Sequence, residues 1–120
     1  MHELSIAQNI VDIISEQLKP EELSRVVSIN LRIGELAGIV TESLDFSFHV
    51  ITEGTDLANA SLNIEHVEIT GKCKSCGAVS KLEYGDFACP QCTSYDIEIL
   101  TGRDMQIVGV AISDSMENVA

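Results

Sequence analysis

Between positions 4 and 18 the apolar side chains recur at steps of three and four: Leu4, Ala7, Ile10, Val11, Ile14 and Leu18. At 3.6 residues per turn they share one face, which predicts an amphipathic helix. Ser5 followed by Gln8 has the form of a capping box, with the start allowed a residue or two earlier. Lys19-Pro20 ends the helix, because a residue before proline avoids the helical region, and Pro20-Glu21-Glu22 opens a polar connection. Over 26–33 the period changes to two: Val27, Ile29, Leu31 and Ile33 alternate with Ser28, Asn30 and Arg32, and Gly34 closes the run. That is a strand with one buried face.

Residues 41–52 satisfy both periods. Leu44, Phe46, Phe48 and Val50 alternate as in a strand, yet Thr41 would cap a helix with Leu44, Phe48 and Ile51 on one face. Glu53 to Ala60 reads as a polar loop. Residues 61–69 read as extended, with Leu62 and Ile64 on one parity and Val67 and Ile69 on the other, which a bulge near His66 would reconcile. Residues 104–112 return to strand character, and Ser113–Ala120 is polar enough to fray.

The segment 71–103 differs in kind. Cys73-Lys-Ser-Cys76 and Cys89-Pro-Gln-Cys92 are two C-x-x-C knuckles, 12 residues apart, and they use every cysteine in the chain. A two-residue gap lets both sulfurs of a tight turn face one cation, and two such turns complete a tetrahedron of thiolates. That set suits Zn²⁺, with iron next. Gly77 suits the positive φ such a turn needs, and Pro90 fixes φ inside the second knuckle. Two disulfides, inert thiols or a redox pair are the competing readings. Four thiolates leave no open position, so the metal would be structural. Val79, Leu82, Tyr84 and Phe87 alone are too few to fold about 30 residues.

Composition narrows the partners. The 120 residues are 45% hydrophobic, enough for one modest core, and carry a net charge of −12. A chain this acidic has no field to attract nucleic acid or an anionic membrane. The charges within 70–103 cancel, so the ribbon is no exception and protein contact is the better use for it. No apolar run reaches bilayer length and no leader-like segment opens the chain. No Ser-His-Asp set, Cys/His pair outside the knuckles or Gly-rich phosphate loop points to an enzyme. His49 and His66 read as surface or core histidines.

The chain opens Met1-His2-Glu3. A free α-amine, the His2 amide nitrogen and the His2 imidazole can close successive chelate rings, with the Glu3 amide nitrogen as a fourth donor. Such nitrogen-rich, square-planar binding favours Ni(II) or Cu(II). It requires a retained, unacetylated Met1 and the loss of protons near neutrality, so the ion would be labile. An inert, exposed terminal histidine is the alternative.

Taken together, these motifs resemble the HypA/HybF family. Met1-His2-Glu3-Leu4-Ser5 before a helix, Gly34-Glu-Leu36, Val40-Thr-Glu42-Ser43-Leu44-Asp-Phe46-Ser-Phe48, the cysteine knuckles and Gly102-Arg103-Asp104-Met105-x-Ile107 carry the likeness. It implies an α+β fold: a small mixed three-stranded sheet packed by two helices, one of them 41–52, with a zinc ribbon inserted between the second and third strands. Residues 1–70 and 104–120 would form the α+β domain and 71–103 the ribbon. The resemblance further implies a cytoplasmic, non-enzymatic nickel metallochaperone for [NiFe]-hydrogenase maturation. It places transferable Ni(II) at Met1, His2 and Glu3, and structural Zn(II) at Cys73, Cys76, Cys89 and Cys92. The implied partners are the hydrogenase large subunit and a HypB-like GTPase, with the chain a monomer or homodimer; whether urease is served too is left open by the sequence. A zinc-ribbon interaction module without metal delivery is the rival.

Overall fold

The computed structural model describes residues 2–113. The element order is α1 (Glu3–Gln17), α2 (Pro20–Leu23), β1 (Val26–Gly34), α3 (Thr41–Thr52), β2 (Ser61–Val67), β3 (Thr70–Cys73), β4 (Val79–Lys81), β5 (Ile97–Thr101) and β6 (Met105–Ile112). The strands form two three-stranded sheets, ordered β2-β1-β6 and β4-β3-β5. This is the expected α+β architecture, with the second sheet inserted between β2 and β6.

The first sheet is mixed. The Asn30–Asn63 side-chain bond of 3.0 Å and the Arg32–Glu65 ion pair of 3.5 Å advance together along β1 and β2, as parallel strands require. A parallel pair needs a long crossover, and α3 supplies it. At the two ends of β1 and β6, Gly34 N donates to Asp104 O and Ser113 N to Arg25 O, at 2.9 and 2.8 Å, so those strands run antiparallel.

The chain divides into two compact units, one of residues 1–31, 39–64 and 107–120 and the other of 32–38 and 65–106. In the first, α1 and α3 pack on each other. Its core takes Ile6, Ala7, Ile10 and Ile14 from α1, Leu44 and Phe48 from α3, and Val26, Ile29 and Leu31 from β1. The helical period wins at 41–52: Leu44, Phe48 and Thr52 are buried four residues apart, while Phe46 is 70% exposed. The Thr52 hydroxyl is satisfied by the Phe48 carbonyl at 2.8 Å.

Several local expectations give way. Helix α1 starts at Glu3 with His2 as N-cap, so Ser5 lies inside it and makes no capping box. Gln8 instead donates to Asp12 Oδ1 at 3.0 Å. Ile6 rather than Leu4 is buried, and Val26 rather than Val27. The connection after Pro20 is itself a short helix, with proline in the first turn where its missing N–H costs nothing and the Glu22 carboxylate accepting from Lys19 N at 2.8 Å. Val40, not Thr41, is the N-cap of α3. Ser113 is still hydrogen-bonded, and the rest of the tail lies outside the described residues.

In the second unit, β3 is central, paired antiparallel with β4 and β5. Its core is thin. Ile33, Ile69, Leu82, Cys73 and Cys89 are buried, whereas Val79 and Tyr84 are mostly exposed.

Candidate metal centre

The two knuckles are built alike. In the first, Gly77 N donates to Cys73 O at 2.8 Å and Cys73 N to Ala78 O at 2.9 Å. In the second, Thr93 N donates to Cys89 O and Cys89 N to Ser94 O, both at 2.8 Å. The residue after each knuckle has positive φ: Gly77 at 80° and Thr93 at 64°. Glycine meets that requirement without a Cβ clash, as the sequence suggested. Threonine, β-branched, holds a conformation that costs on the order of 1–2 kcal/mol. Its hydroxyl donates to the Cys92 carbonyl at 2.6 Å in partial return.

The knuckles are held to each other by Lys74 N donating to Asp96 O at 2.9 Å and by the Ser75 and Ser94 hydroxyls 3.0 Å apart. The four Sγ atoms then lie within 4.8 Å of one another, with Cys73 and Cys89 buried and Cys76 and Cys92 exposed. Cys73 Sγ is 3.5 Å from Cys92 Sγ, and Cys76 Sγ is 3.7 Å from Cys89 Sγ. Thiolates about 2.3 Å from a tetrahedral cation stand about 3.8 Å apart, so this spacing fits such a cation and no S–S bond. All four cysteines are free.

A backbone amide points at each of the buried sulfurs. Cys76 N points at Cys73 Sγ and Gln91 N at Cys89 Sγ, each at 3.4 Å. The Cys76 amide is the main reason the Cys73 thiol is pulled down to about 6. Cys92 is pushed up to about 12: the Ser94 amide favours its thiolate, but the neighbouring thiols, Cys73 foremost, and burial outweigh it. At Cys76 the Ala78 amide is likewise outweighed, by burial and by the Cys89 and Cys73 thiols, and its pKa is raised. Cys73 is thus a thiolate at neutral pH, and a cation must displace the protons of Cys76 and Cys92.

The amino terminus offers a different donor set. His2 is exposed and extended, φ −82° and ψ 140°, and its carbonyl accepts from Ser5 N at 3.0 Å and Ile6 N at 3.2 Å. The helix therefore holds the His2 backbone while leaving its side chain outside. Glu3 is the first helical residue, and its Oε2 accepts from Val40 N at 3.2 Å. That amide, then the Glu3 amide itself, keeps the carboxyl below its usual range. The contact spans 37 residues, and no sequence signal announced it. Met1 lies outside the described residues. Among the described residues the cysteines form the one metal-capable cluster, and neither His49 nor His66 joins another.

Comparison with known proteins sets these sites in a family. The family model described as "Hydrogenase/urease nickel incorporation, metallochaperone, hypA" matches residues 1–112. A hydrogenase maturation factor HypA from Geotalea daltonii is 38% identical over 93% of this chain and 99% of its own. One from Chloroflexus aurantiacus is 42% identical over 92% of this chain and 97% of its own. The solution structure of the Ni metallochaperone HypA from Helicobacter pylori shares the fold, with a TM-score of 0.62 and 23% identity over 93% of this chain and 97% of that one. A further solution structure of a HypA protein reaches a TM-score of 0.68 at 23% identity, covering 94% and 97%. From its helix-capping histidine to its four-sulfur knuckles, the chain belongs to the HypA family of hydrogenase and urease nickel-incorporation metallochaperones.

Proposed function

We propose that the chain binds Ni(II) at its amino terminus and delivers it for assembly of the [NiFe]-hydrogenase active site. The observation that supports this most is His2: an exposed imidazole on a backbone pinned as the N-cap of α1. The first N–H groups of a helix have no intrahelical backbone partner, so the Glu3 amide, engaged by its own carboxylate alone, lies outside the ladder and becomes a nitrogen donor once that N–H is deprotonated. The Met1 amine and the His2 amide and imidazole complete the set. Glu3, tied to Val40, steadies the turn that carries them.

The position also tunes the grip. A helix N-terminus carries about +0.5 of an elementary charge, which opposes a cation by roughly 0.3–1 kcal/mol. Nickel is cargo here, and a weakened hold favours transfer. Zn(II) at Cys73, Cys76, Cys89 and Cys92 is the resident ion. When bound it supplies cohesion, and its four-sulfur shell leaves no place for substrate. The protein therefore acts by binding and handing over rather than by catalysis. A maturation factor of this kind works in the cytoplasm, with the hydrogenase large subunit as recipient and a HypB-like GTPase as co-worker. The same delivery could serve urease, which the family description includes.

Calorimetric titration of Ni(II) into the zinc-loaded parent and His2→Ala tests the site. The parent should bind one ion with the absorption of square-planar nickel, and His2→Ala should lose both. Equal tight binding by the two proteins, or nickel held only by sulfur, would overturn the assignment.

A further inference from the structure

The ribbon unit carries a cleft that neither the sulfur site nor the amino terminus uses. Its volume is about 400 Å³, and it is lined by Leu36, Phe87, Tyr95, Ile97, Ile99 and Arg103. That lies within the roughly 300–1,000 Å³ range of ligand sites. The walls are preformed. Leu36 N donates to Gly102 O at 2.7 Å, which fixes the loop segment and sets Leu36 next to the turn that carries Arg103. Ile97 and Ile99 stand on the same face of β5, registered against Cys73 and Gly71 of β3. Phe87 follows a tight turn in which Asp86 N donates to Glu83 O at 3.0 Å and Asp86 Oδ1 accepts from Ala88 N at 3.3 Å.

The chemistry of the lining is selective. Five of its six residues are apolar or aromatic, and Arg103 is its single charge. Among the described residues no ion pair includes Arg103. In a chain of net charge −12 this cation cannot serve general attraction of polyanions. It is placed to meet one carboxylate beside one apolar group. A guanidinium meets a carboxylate through two parallel hydrogen bonds, which fixes orientation as well as charge. One side of the cleft stays open, with Tyr95 79% exposed at its rim. A small acid would remain largely in water there, whereas a polypeptide can continue across the rim.

We propose that this cleft captures the free carboxyl terminus of a partner polypeptide whose last residue is large and apolar. A chain end is the one place where a polypeptide sets a carboxylate and a side chain on the same residue, matching Arg103 beside Leu36, Phe87, Ile97 and Ile99. Such capture is a known mode of peptide recognition. The site stands apart from the nickel reading and neither supports nor needs it.

The test uses the full-length chain and a fluorescein-labelled hexapeptide ending in Gly-Leu-Phe, as the free acid and as the C-terminal amide. Anisotropy should report binding of the acid and, for the amide, affinity weaker by roughly tenfold or more, since a charge-assisted pair is lost. Arg103→Gln should bring the acid down to the level of the amide and leave the amide where it was. Tyr95→Ser, at an exposed position, should weaken both peptides. Free 3-phenylpropionate should compete far less well than the peptide. Equal binding of acid and amide, undiminished binding by Arg103→Gln, binding of neither peptide, or competition by the free acid at the peptide's own concentration would overturn the proposal.

Discussion

Replacing Gly34 by alanine should break the ribbon unit at its closest backbone approach. A Cβ at Gly34 would lie 2.7 Å from Gly102 Cα and closer still to that residue's carbonyl carbon and oxygen. Ordinary contact begins at 3.4 Å, so the segments must part by at least 0.7 Å, and the obstacle is backbone that cannot rotate away. Three consecutive amides resist the parting: Gly34 N to Asp104 O at 2.9 Å, Glu35 N to Val67 O at 3.0 Å and Leu36 N to Gly102 O at 2.7 Å. Each such bond contributes about 0.5–1.5 kcal/mol net, and forced overpacking costs about 1–3 kcal/mol. The expected loss is therefore about 3–5 kcal/mol, on the order of 12–20 °C in Tm for a chain of this size. Gly109→Ala is the control, because its Cβ meets nothing within 4 Å and its φ is not positive. Thermal unfolding followed by far-ultraviolet circular dichroism measures both. A loss under about 1 kcal/mol for Gly34→Ala would refute the reasoning, because the clash would then have been absorbed without disturbing the three bonds.

Phe48→Ala should cost about 3–5 kcal/mol, as Phe48 is wholly buried, while Val50→Ala on the exposed side of the same helix should stay within about 0.5 kcal/mol; urea unfolding separates them. Glu3 should titrate below the usual carboxylate range by NMR and return upward in Val40→Pro, which removes the donor amide. Because its folded pKa is depressed, its contribution to stability is present above the usual carboxylate pKa and fades as pH falls. Zinc uptake by the metal-free chain should release at least the Cys76 and Cys92 protons at pH 7.5, with affinity rising about a hundredfold or more per pH unit. As pH falls through about 6, Cys73 takes up its own proton and the dependence steepens; a pH-indicator titration in weak buffer counts the protons.

What was legible in the sequence followed from local periodicity and covalent spacing. A strand over 26–33 could be read from alternation, because β1 buries Ile29, Leu31 and Ile33, and β6 from its run of apolar residues, none of which is fully buried. The sulfur cluster could be read from two-residue gaps, since such turns leave the cysteines little choice of direction. Residues 41–52 could not be read from pattern alone, because Leu44 and Phe48 satisfy both periods. What decides them is the parallel pairing of β1 and β2, which demands a crossover, and pairing is a long-range fact. The Glu3–Val40 bond, the Gly34–Gly102 approach and the apolar cleft with Arg103 also join distant positions, so no local window contains them. The misplaced cap at Ser5 has a simpler cause: His2 takes the N-cap with its backbone carbonyl alone, and the side-chain signal farther on is a decoy.

The two proposed metal sites follow opposite physical rules. The cysteine site stabilises its own surroundings. Ile33, Ile69 and Leu82 are too small a core for this unit, so the roughly 10–16 kcal/mol that a structural zinc provides in small peptides would be folding energy here. An ion held that firmly cannot be cargo. The proposed nickel site has no such role, because α1 is anchored by Ile6, Ala7, Ile10 and Ile14 whether or not a metal is present. Its binding energy is therefore not drawn into folding. Placing that site on the positive end of a helix already stabilised by its buried face lets the protein release the ion without loosening its structure. A carrier must remain folded after delivery, and of the two proposed sites the amino-terminal one meets that condition.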